Sequence, residues 1–261
     1  MPVNFIQINC KLFFAGLLIG RDFFCHLDLM NQPKLCFDIP AQDRKSTNYC
    51  LFRLSDLSTF GYEFLSRSSI EGFEMPDDFF RICLEANILT LVDHQCFKTC
   101  IAAGSSLPSG VHHHLNLFPS TMINIPISNL IGSIPAGGQN GTYCIEISEQ
   151  QIIGDPSYLI EPVREIKRAN ILIGIDDVGF GRSCLESLIF LEPHIIKIDK
   201  KCVKGIAGDP AYARALKQML KVAQALGTEV MAEGIESPED LDVLRDLGIK
   251  YGQGFLLGKP G

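Results

Sequence analysis

The sequence predicts an α/β fold on a parallel sheet, closed or open, with a closed (β/α)8 barrel as the preferred form. Three observations carry this. From residue 142 onwards, strand-like and helix-like segments alternate strictly at a spacing of roughly 20–40 residues, as parallel βαβ units require. Ile171–Ile175 (ILIGI) is a continuous apolar run, the pattern of a strand covered on both faces. The length, 261 residues, suits one barrel domain, and no sequence repeat is visible.

Residues 1–41 have mixed composition and no clear period, and are read as an N-terminal extension; the barrel domain is expected over 42–261. NYCLFRL from Asn48, a Ser-Asp turn and TFGYEFLSR form an expected antiparallel hairpin, so the first strand is expected to run antiparallel to the rest. Pro76, Asp77 and Asp78 open a helix reaching about Asn87, with its acids where the helix dipole prefers them. A second helix runs from about Leu91 to Gly104. HHHLNLF is a strand ended by Pro119, residues 120–141 are loop-rich with AGGQNG at 136–141 as an exposed turn, and TYCIEISE is the next strand.

Asp155-Pro156 starts a helix that Pro162 kinks. After strand 171–175, Ser183 and Glu186 form a capping box. HIIKID (194–199) is a strand, and Asp209-Pro210 opens a helix closed by Gly227, with Leu216, Leu220, Ala223 and Leu226 at core spacing. EVMAE, a helix from Ser237-Pro238 to Gly248, and the strand KYGQGFLL complete the pattern.

Composition narrows the function. With 46% hydrophobic and 20% charged residues the chain buries a substantial core. A net charge of −7 argues against a DNA or RNA polymer as partner, and an anionic ligand would need a bound divalent cation. The ten cysteines show no CxxC pair, which fits free thiols in a reducing cytoplasm. His112–His114 in a strand alternate faces, so they cannot all ligate one zinc. No run reaches the ~18–20 apolar residues of a membrane span; LFFAGLLIG at 12–20 resembles a signal-peptide core without a convincing cleavage site.

Polar residues recur at the strand ends: Glu63, Asn116, Glu146, Asp176 with Asp177, Lys197 with Asp199, Glu233 with Glu236, and Gln253. In a barrel they would converge on one face. The candidate ligands offer oxygen only, which points to Mg²⁺ or Mn²⁺ rather than zinc, and their number suggests two ions bridged by an aspartate. Two such ions clamp the attacking and leaving oxygens of a phosphoryl displacement. Taken singly, each acid reads equally well as a helix cap or half of a salt bridge, and the pattern does not name a substrate.

The ordered motifs do. GYEFLSR (61–67), LNLFPS (115–120), EISE (146–149), DDVGFG (176–181), KID (197–199), EGIE (233–236) and QGFLLGKP (253–260) resemble the EAL domain, a bacterial phosphodiesterase family that opens cyclic di-GMP to linear pGpG on a TIM-like barrel. The resemblance runs from about Tyr49 to Pro260. It implies two Mg²⁺ or Mn²⁺ ions, one on Glu63, Asn116, Glu146 and Asp176, the other on Asp176, Asp177 and Asp199. Glu233 would be a ligand or the group that activates water, Lys197 would position that water, and Gln253 would support the site. Glu149 would hold the loop after the aspartates, Glu236 would be an acid grouped with the metal set, and Arg67 would contact a substrate phosphate. A cytoplasmic protein, with a homodimer admitted, is the matching expectation.

Departures from the pattern are clear. No Gln-Pro-Ile element, which in the family helps to seat a guanine, is evident at 51–54; Phe180 and Arg182 stand where the family has Thr and Tyr, in a loop that couples its dimer contacts to metal binding. A closing helix is expected after the last strand, where the chain ends. The alternative is therefore a catalytically silent EAL-like receptor or protein-interaction module. A metal-dependent barrel enzyme acting on another phosphate ester is the third reading.

Overall fold

Runs such as Ile145–Ile147 and Ile195–Ile198 bury side chains on both faces, and they become staves of a closed barrel. A computed structural model describes residues 45–68, 73–105, 107, 110–135 and 141–259, without the side chains of 45–47 and 182–184. The N-terminal extension, the apolar stretch 12–20 and all but the last residue of the turn at 136–141 lie outside the described residues.

The strands are β1 Lys45–Arg53, β2 Thr59–Arg67, β3 His112–Asn116, β4 Thr142–Ser148, β5 Leu172–Val178, β6 Ile195–Ile198, β7 Glu229–Ala232 and β8 Tyr251–Gly252. They neighbour one another in sequence order around the barrel. From β2 to β8 adjacent strands are parallel, while β1 meets β8 antiparallel, with Phe52 opposite Gly252 and Arg53 opposite Tyr251. The link 54–58 between β1 and β2 is far too short for a parallel crossover. It is a turn, closed by Arg53 N donating to Ser58 O at 2.9 Å and Ser58 N donating to Asp56 Oδ1 at 2.9 Å.

The described chain divides into two compact units, one containing Arg67–Leu89 and the other Ser46–Ser66 with Thr90–Gly261. In the first, the helix Pro76–Glu85 carries Asp77 and Asp78 in its first turn, and Arg81 pairs with Asp78 and Glu85 one turn away on either side. The second holds the barrel. Its main core joins Ile145, Ile147, Ile173, Ile175, Ile196 and Ile198 to helix residues such as Val163, Leu188, Leu216 and Leu244. A separate apolar cluster includes Cys144, Ile195 and Met231, each two residues before a polar strand-end residue. Alternation puts these on the same face as Glu146, Lys197 and Glu233, so the lower barrel interior is apolar and the upper interior polar.

Several local readings change. Residues 120–141 hold two short helices, Pro119–Asn124 and Ile127–Ser133; Pro119 starts the first of them, at a position where a missing N–H costs nothing. Asp155 caps Ser157 N, but a 3₁₀ turn Pro156–Leu159 precedes the α-helix Ile160–Arg168. Pro162 thus falls in a first α-turn, where its absent N–H breaks no bond and no kink is needed. The helix Arg182–Leu191 takes Gly181 as N-cap, so Ser183 lies inside its first turn and the expected capping box does not open it. In the helix Pro210–Ala225, Leu216 and Ala223 are buried, whereas Leu226 beyond its end is 39% exposed. The last strand shortens to two residues, and beyond it Gly254 brings the backbone so near Ile235 that a Cβ would stand 2.2 Å from its N and O.

Among the described cysteines, Cys50, Cys83, Cys100, Cys144 and Cys202 are free thiols. No helix among the described residues is long and apolar enough to cross a membrane.

One buried acid makes the barrel's stability pH-dependent. Asp93, on the helix Leu89–Gly104, is 3% exposed and accepts from Phe118 N at 3.0 Å, tying that helix to the segment after β3. Burial raises its pKa to about 7, against the pull of Thr121 and Phe118. The folded state therefore keeps a proton that the unfolded chain sheds near pH 4, and stability falls as pH rises between about 4 and 7. Asp93→Asn retains an acceptor for Phe118 N and removes the ionisation. It is expected to leave stability at pH 5 nearly unchanged and to raise it at pH 8 by roughly 1–3 kcal/mol. Urea unfolding at both pH values checks this; an equal change at both would refute it.

Candidate active site

Parallel strands put their carboxyl ends at one rim, and register decides which side chains meet there. Glu63 lies level with His114, Asn116 with Glu146, and Ser148 with Asp176, so the interior polar residues climb around the barrel. At their centre is Lys197, with no exposed surface. Its Nζ lies 3.0 Å from Glu63 Oε2, 3.1 Å from Glu146 Oε2, 3.0 Å from Asp176 Oδ2 and 2.9 Å from Glu233 Oε1. An ammonium has three hydrogens, so it cannot fully satisfy four carboxylates.

Amide side chains supply further donors. Gln253 Nε2 donates to Glu63 Oε2 at 2.9 Å and to Glu233 Oε1 at 2.6 Å, and Asn116 Nδ2 donates to Glu63 Oε1 at 3.1 Å. Glu63, Asn116, Glu146, Asp176, Lys197, Glu233 and Gln253 thus form one connected network. Asp177 adjoins it: its N–H donates to Asp176 Oδ1 at 2.7 Å and its Oδ2 accepts from Ser148 Oγ at 3.0 Å. The aspartates lie within β5, not beyond it, where the pairing with β6 is irregular between Ile175 and Val178. Asp177 has φ 57°, a left-handed conformation that costs of order 1–3 kcal/mol outside glycine and clusters at functional sites.

The charge balance is unfavourable without a further cation. Burial opposes the charge on Lys197, but Asp176, Glu146, Glu233 and Glu63 together hold its pKa well above the usual lysine value. Burial also works against ionisation of Glu146, yet Lys197 and His114 hold it down to about 2. Asp176 is pushed well above the usual carboxylate range by burial and then by Glu233. Burial lifts Glu233 to about 7, with Lys197 opposing and Glu63 reinforcing the rise. One ammonium thus serves an excess of carboxylate.

Two overlapping groups could bind metal. Oxygens of Glu63, Glu146 and Asp176 lie within 4.8 Å of one another, as do those of Asp176, Asp177 and Glu233. Asp176 belongs to both, the position a bridging ligand would take. Gln253 Oε1 is moreover a buried acceptor with no donor. This oxygen-only set fits a hard divalent cation.

The other candidate residues have these places in the fold. Glu149 accepts from Gly179 N at 3.2 Å, pinning the loop after β5. Asp199 caps the helix Lys200–Val203 through Lys201 N at 2.8 Å, and Glu236 pairs with Lys204 at 2.6 Å. Arg67 is the last residue of β2.

His114 was not among the residues singled out from the sequence, although strand alternation places it on the face of Asn116. It is fully buried, and its Nδ1 lies 2.7 Å from Glu146 Oε1, leaving Oε2 to Lys197. His113 turns the other way, its ring 4.8 Å from that of Tyr143. A histidine that orients a ligating carboxylate typically accounts for 10–100-fold in metal affinity. His114→Leu is therefore expected to weaken Mn²⁺ binding about 10–100-fold while keeping the fold, as read by calorimetric titration. Unchanged Mn²⁺ affinity would count against this role.

The EAL domain model matches residues 32–260. The chain belongs to the EAL domain family. Among curated relatives, the probable cyclic di-GMP phosphodiesterase PdeA of Escherichia coli is 28% identical over 207 residues, covering 77% of this chain and 28% of the relative. This EAL chain thus spans under a third of that protein's length. Klebsiella pneumoniae BlrP1 has the same fold: its calcium and cy-diGMP complex superposes with a TM-score of 0.75 at 24% identity, covering 88% of this chain and 58% of that one. A manganese and cy-diGMP complex of BlrP1 gives 0.74 at 24% identity, covering 85% and 57%.

Proposed function

We propose that this chain is a metal-dependent phosphodiesterase that hydrolyses cyclic di-GMP to linear pGpG by in-line attack of water on one phosphodiester. The observation that carries the reading is the buried excess of carboxylate around Lys197, which calls for divalent cations where an EAL barrel would do chemistry. Two Mg²⁺ or Mn²⁺ ions, when bound, would supply the positive charge that acidifies water and stabilises the transition state. Glu63, Asn116, Glu146 and Asp176 would hold one, and Asp176, Asp177 and Asp199 the other. Glu233 would complete the ligand set or take the proton of the attacking water. Lys197, released from some of its carboxylates, would orient that water. Gln253 would keep Glu63 and Glu233 in place, Glu149 would hold the loop after β5, Glu236 would support the metal set, and Arg67 would contact a phosphate.

Residues 42–261 would be the catalytic domain and 1–41 an extension of separate role, in a cytoplasmic protein with no nucleic-acid polymer as partner. A homodimer fits the exposure of Leu185, Ile189 and Phe190 on one helix, which is 47%, 53% and 45%. The deciding experiment incubates pure protein with Mn²⁺ and cyclic di-GMP and separates the products. pGpG that appears with Mn²⁺ and stops with a chelator supports the enzyme; tight binding without product would replace it with the receptor reading.

A further inference from the structure

The loop after β5 follows directly on Asp176 and Asp177, and it is held from three directions. Glu149 accepts from Gly179 N at 3.2 Å. Val178 O accepts from Asp199 N at 3.0 Å, which ties the end of β5 to the end of β6. The third hold is aromatic. Phe180 meets Tyr212 edge to face, with ring centroids 5.7 Å apart and planes at 61°. Phe180 also packs half-buried against the main core. Its N–H faces the Cys202 thiol, where it opposes the rise in pKa that burial and then Asp199 cause.

Tyr212 is itself well anchored. It lies in the first turn of the helix Pro210–Ala225, where Asp209 Oδ1 accepts from Ala211 N at 3.0 Å and from Tyr212 N at 3.1 Å. Leu216 and Ala223 bury that helix in the main core, and Asp240 holds the turn before it through Gly205 N and Ala207 N, both at 3.0 Å. The Tyr212 ring is nevertheless 42% exposed, so its contact with Phe180 is not core packing. The loop has need of such a contact. Asp177, three residues before Phe180, has φ 57°, a conformation that aspartate keeps only against a cost and under outside restraint. In that conformation oxygens of Asp176, Asp177 and Glu233 lie within 4.8 Å of one another. We infer that Tyr212 is a positioning residue: through Phe180 it holds the loop after β5 so that Asp176, Asp177 and Glu233 stay gathered for a divalent cation. It acts at one remove, by a contact made inside a single chain, and its phenol oxygen takes no part. The inference rests on the metal-dependent reading for its cation. An edge-to-face pair is weak beside carboxylate–metal bonds, so this clasp tunes affinity for the ion and leaves the chemical step alone.

The test titrates the full chain with Mn²⁺ by calorimetry, without nucleotide. Tyr212→Ala removes the ring and suits the helix, since alanine is the best helix former. It is expected to weaken Mn²⁺ binding roughly 2- to 10-fold, the scale of one aromatic pair, because the loop is then competent only part of the time. Tyr212→Phe keeps the ring and should bind Mn²⁺ like the wild type. Phe180→Ala should match Tyr212→Ala, and the double variant should be no weaker than Phe180→Ala alone, which two independent packing losses would not produce. Amide exchange reads the loop directly: Gly179 N–H should exchange roughly 2- to 10-fold faster in Tyr212→Ala. With cyclic di-GMP, the Mn²⁺ concentration for half-maximal rate should rise by the same factor, while kcat at saturating Mn²⁺ stays within about twofold. Unchanged Mn²⁺ affinity in Tyr212→Ala, or an equal loss in Tyr212→Phe, would overturn the proposal. A chain that shows the Mn²⁺ effects but makes no pGpG would keep the clasp and remove the phosphodiesterase; one that binds no Mn²⁺ would lose both.

Discussion

Lys197→Met is expected to destabilise the metal-free protein at pH 8 by about 3–5 kcal/mol, the usual cost of leaving buried charge without its partner. The side chain is fully buried and touches Glu63, Glu146, Asp176 and Glu233, so methionine replaces its volume but leaves four acids facing one another. The pKa of Lys197 is raised, so its own contribution is complete below the ordinary lysine pKa and constant between pH 5 and 8. Any change in the deficit over that interval therefore comes from the carboxylates. Without the ammonium they retain protons that the unfolded chain releases, and the deficit grows as pH rises. At pH 5 it should be clearly smaller. Mn²⁺ binds the folded state and should recover part of the loss. Urea unfolding at pH 5 and 8, with chelator and with Mn²⁺, measures each of these effects. A deficit indifferent to both pH and cation would mean that Lys197 acts by packing alone.

Much of this site is legible along the sequence because strand ends follow simple rules. A polar residue near the carboxyl end of an apolar strand comes out at or near the rim, as Glu146, Asp176, Lys197 and, just past β7, Glu233 do, although each taken singly read equally well as a cap or half of a salt bridge. Convergence at one point depends on closure, which the antiparallel hairpin into β2 and the alternation of strands and helices made the preferred outcome. What escaped depends on contacts between strands. His114 looked like one member of a histidine run, and its bond to Glu146 exists only because β3 and β4 lie side by side. The left-handed turn at Asp177 and the irregular pairing of β5 with β6 have no local signature, since aspartate is compatible with many backbones. The short helices after Pro119 were hidden because they cover only six and seven residues, too few for a periodic pattern.

Glu63→Ala is expected to lower kcat/KM for cyclic di-GMP with Mn²⁺ by at least about 10²–10³-fold, the scale seen when a group that stabilises transition-state charge is removed. Both oxygens of Glu63 are in use: Oε1 accepts from Asn116, while Oε2 takes Gln253 and faces Lys197. Alanine frees the Asn116 amide, leaves Gln253 only its bond to Glu233, and removes the link between β2 and the segment after β8. Gln253→Ala, which removes a supporting donor but leaves the carboxylates, should cost only about 10–100-fold. The two variants also separate catalysis from folding. Deleting one of four mutually repelling acids relieves charge, so metal-free Glu63→Ala should melt at or above the wild-type temperature at pH 8. Lost activity with a preserved melt, and a higher Mn²⁺ concentration for half-maximal rate, would identify Glu63 as a ligand. Turnover within tenfold of wild type would remove Glu63 from the metal set, and the barrel would then have to bind its cation through Asp176, Asp177 and Glu233 alone.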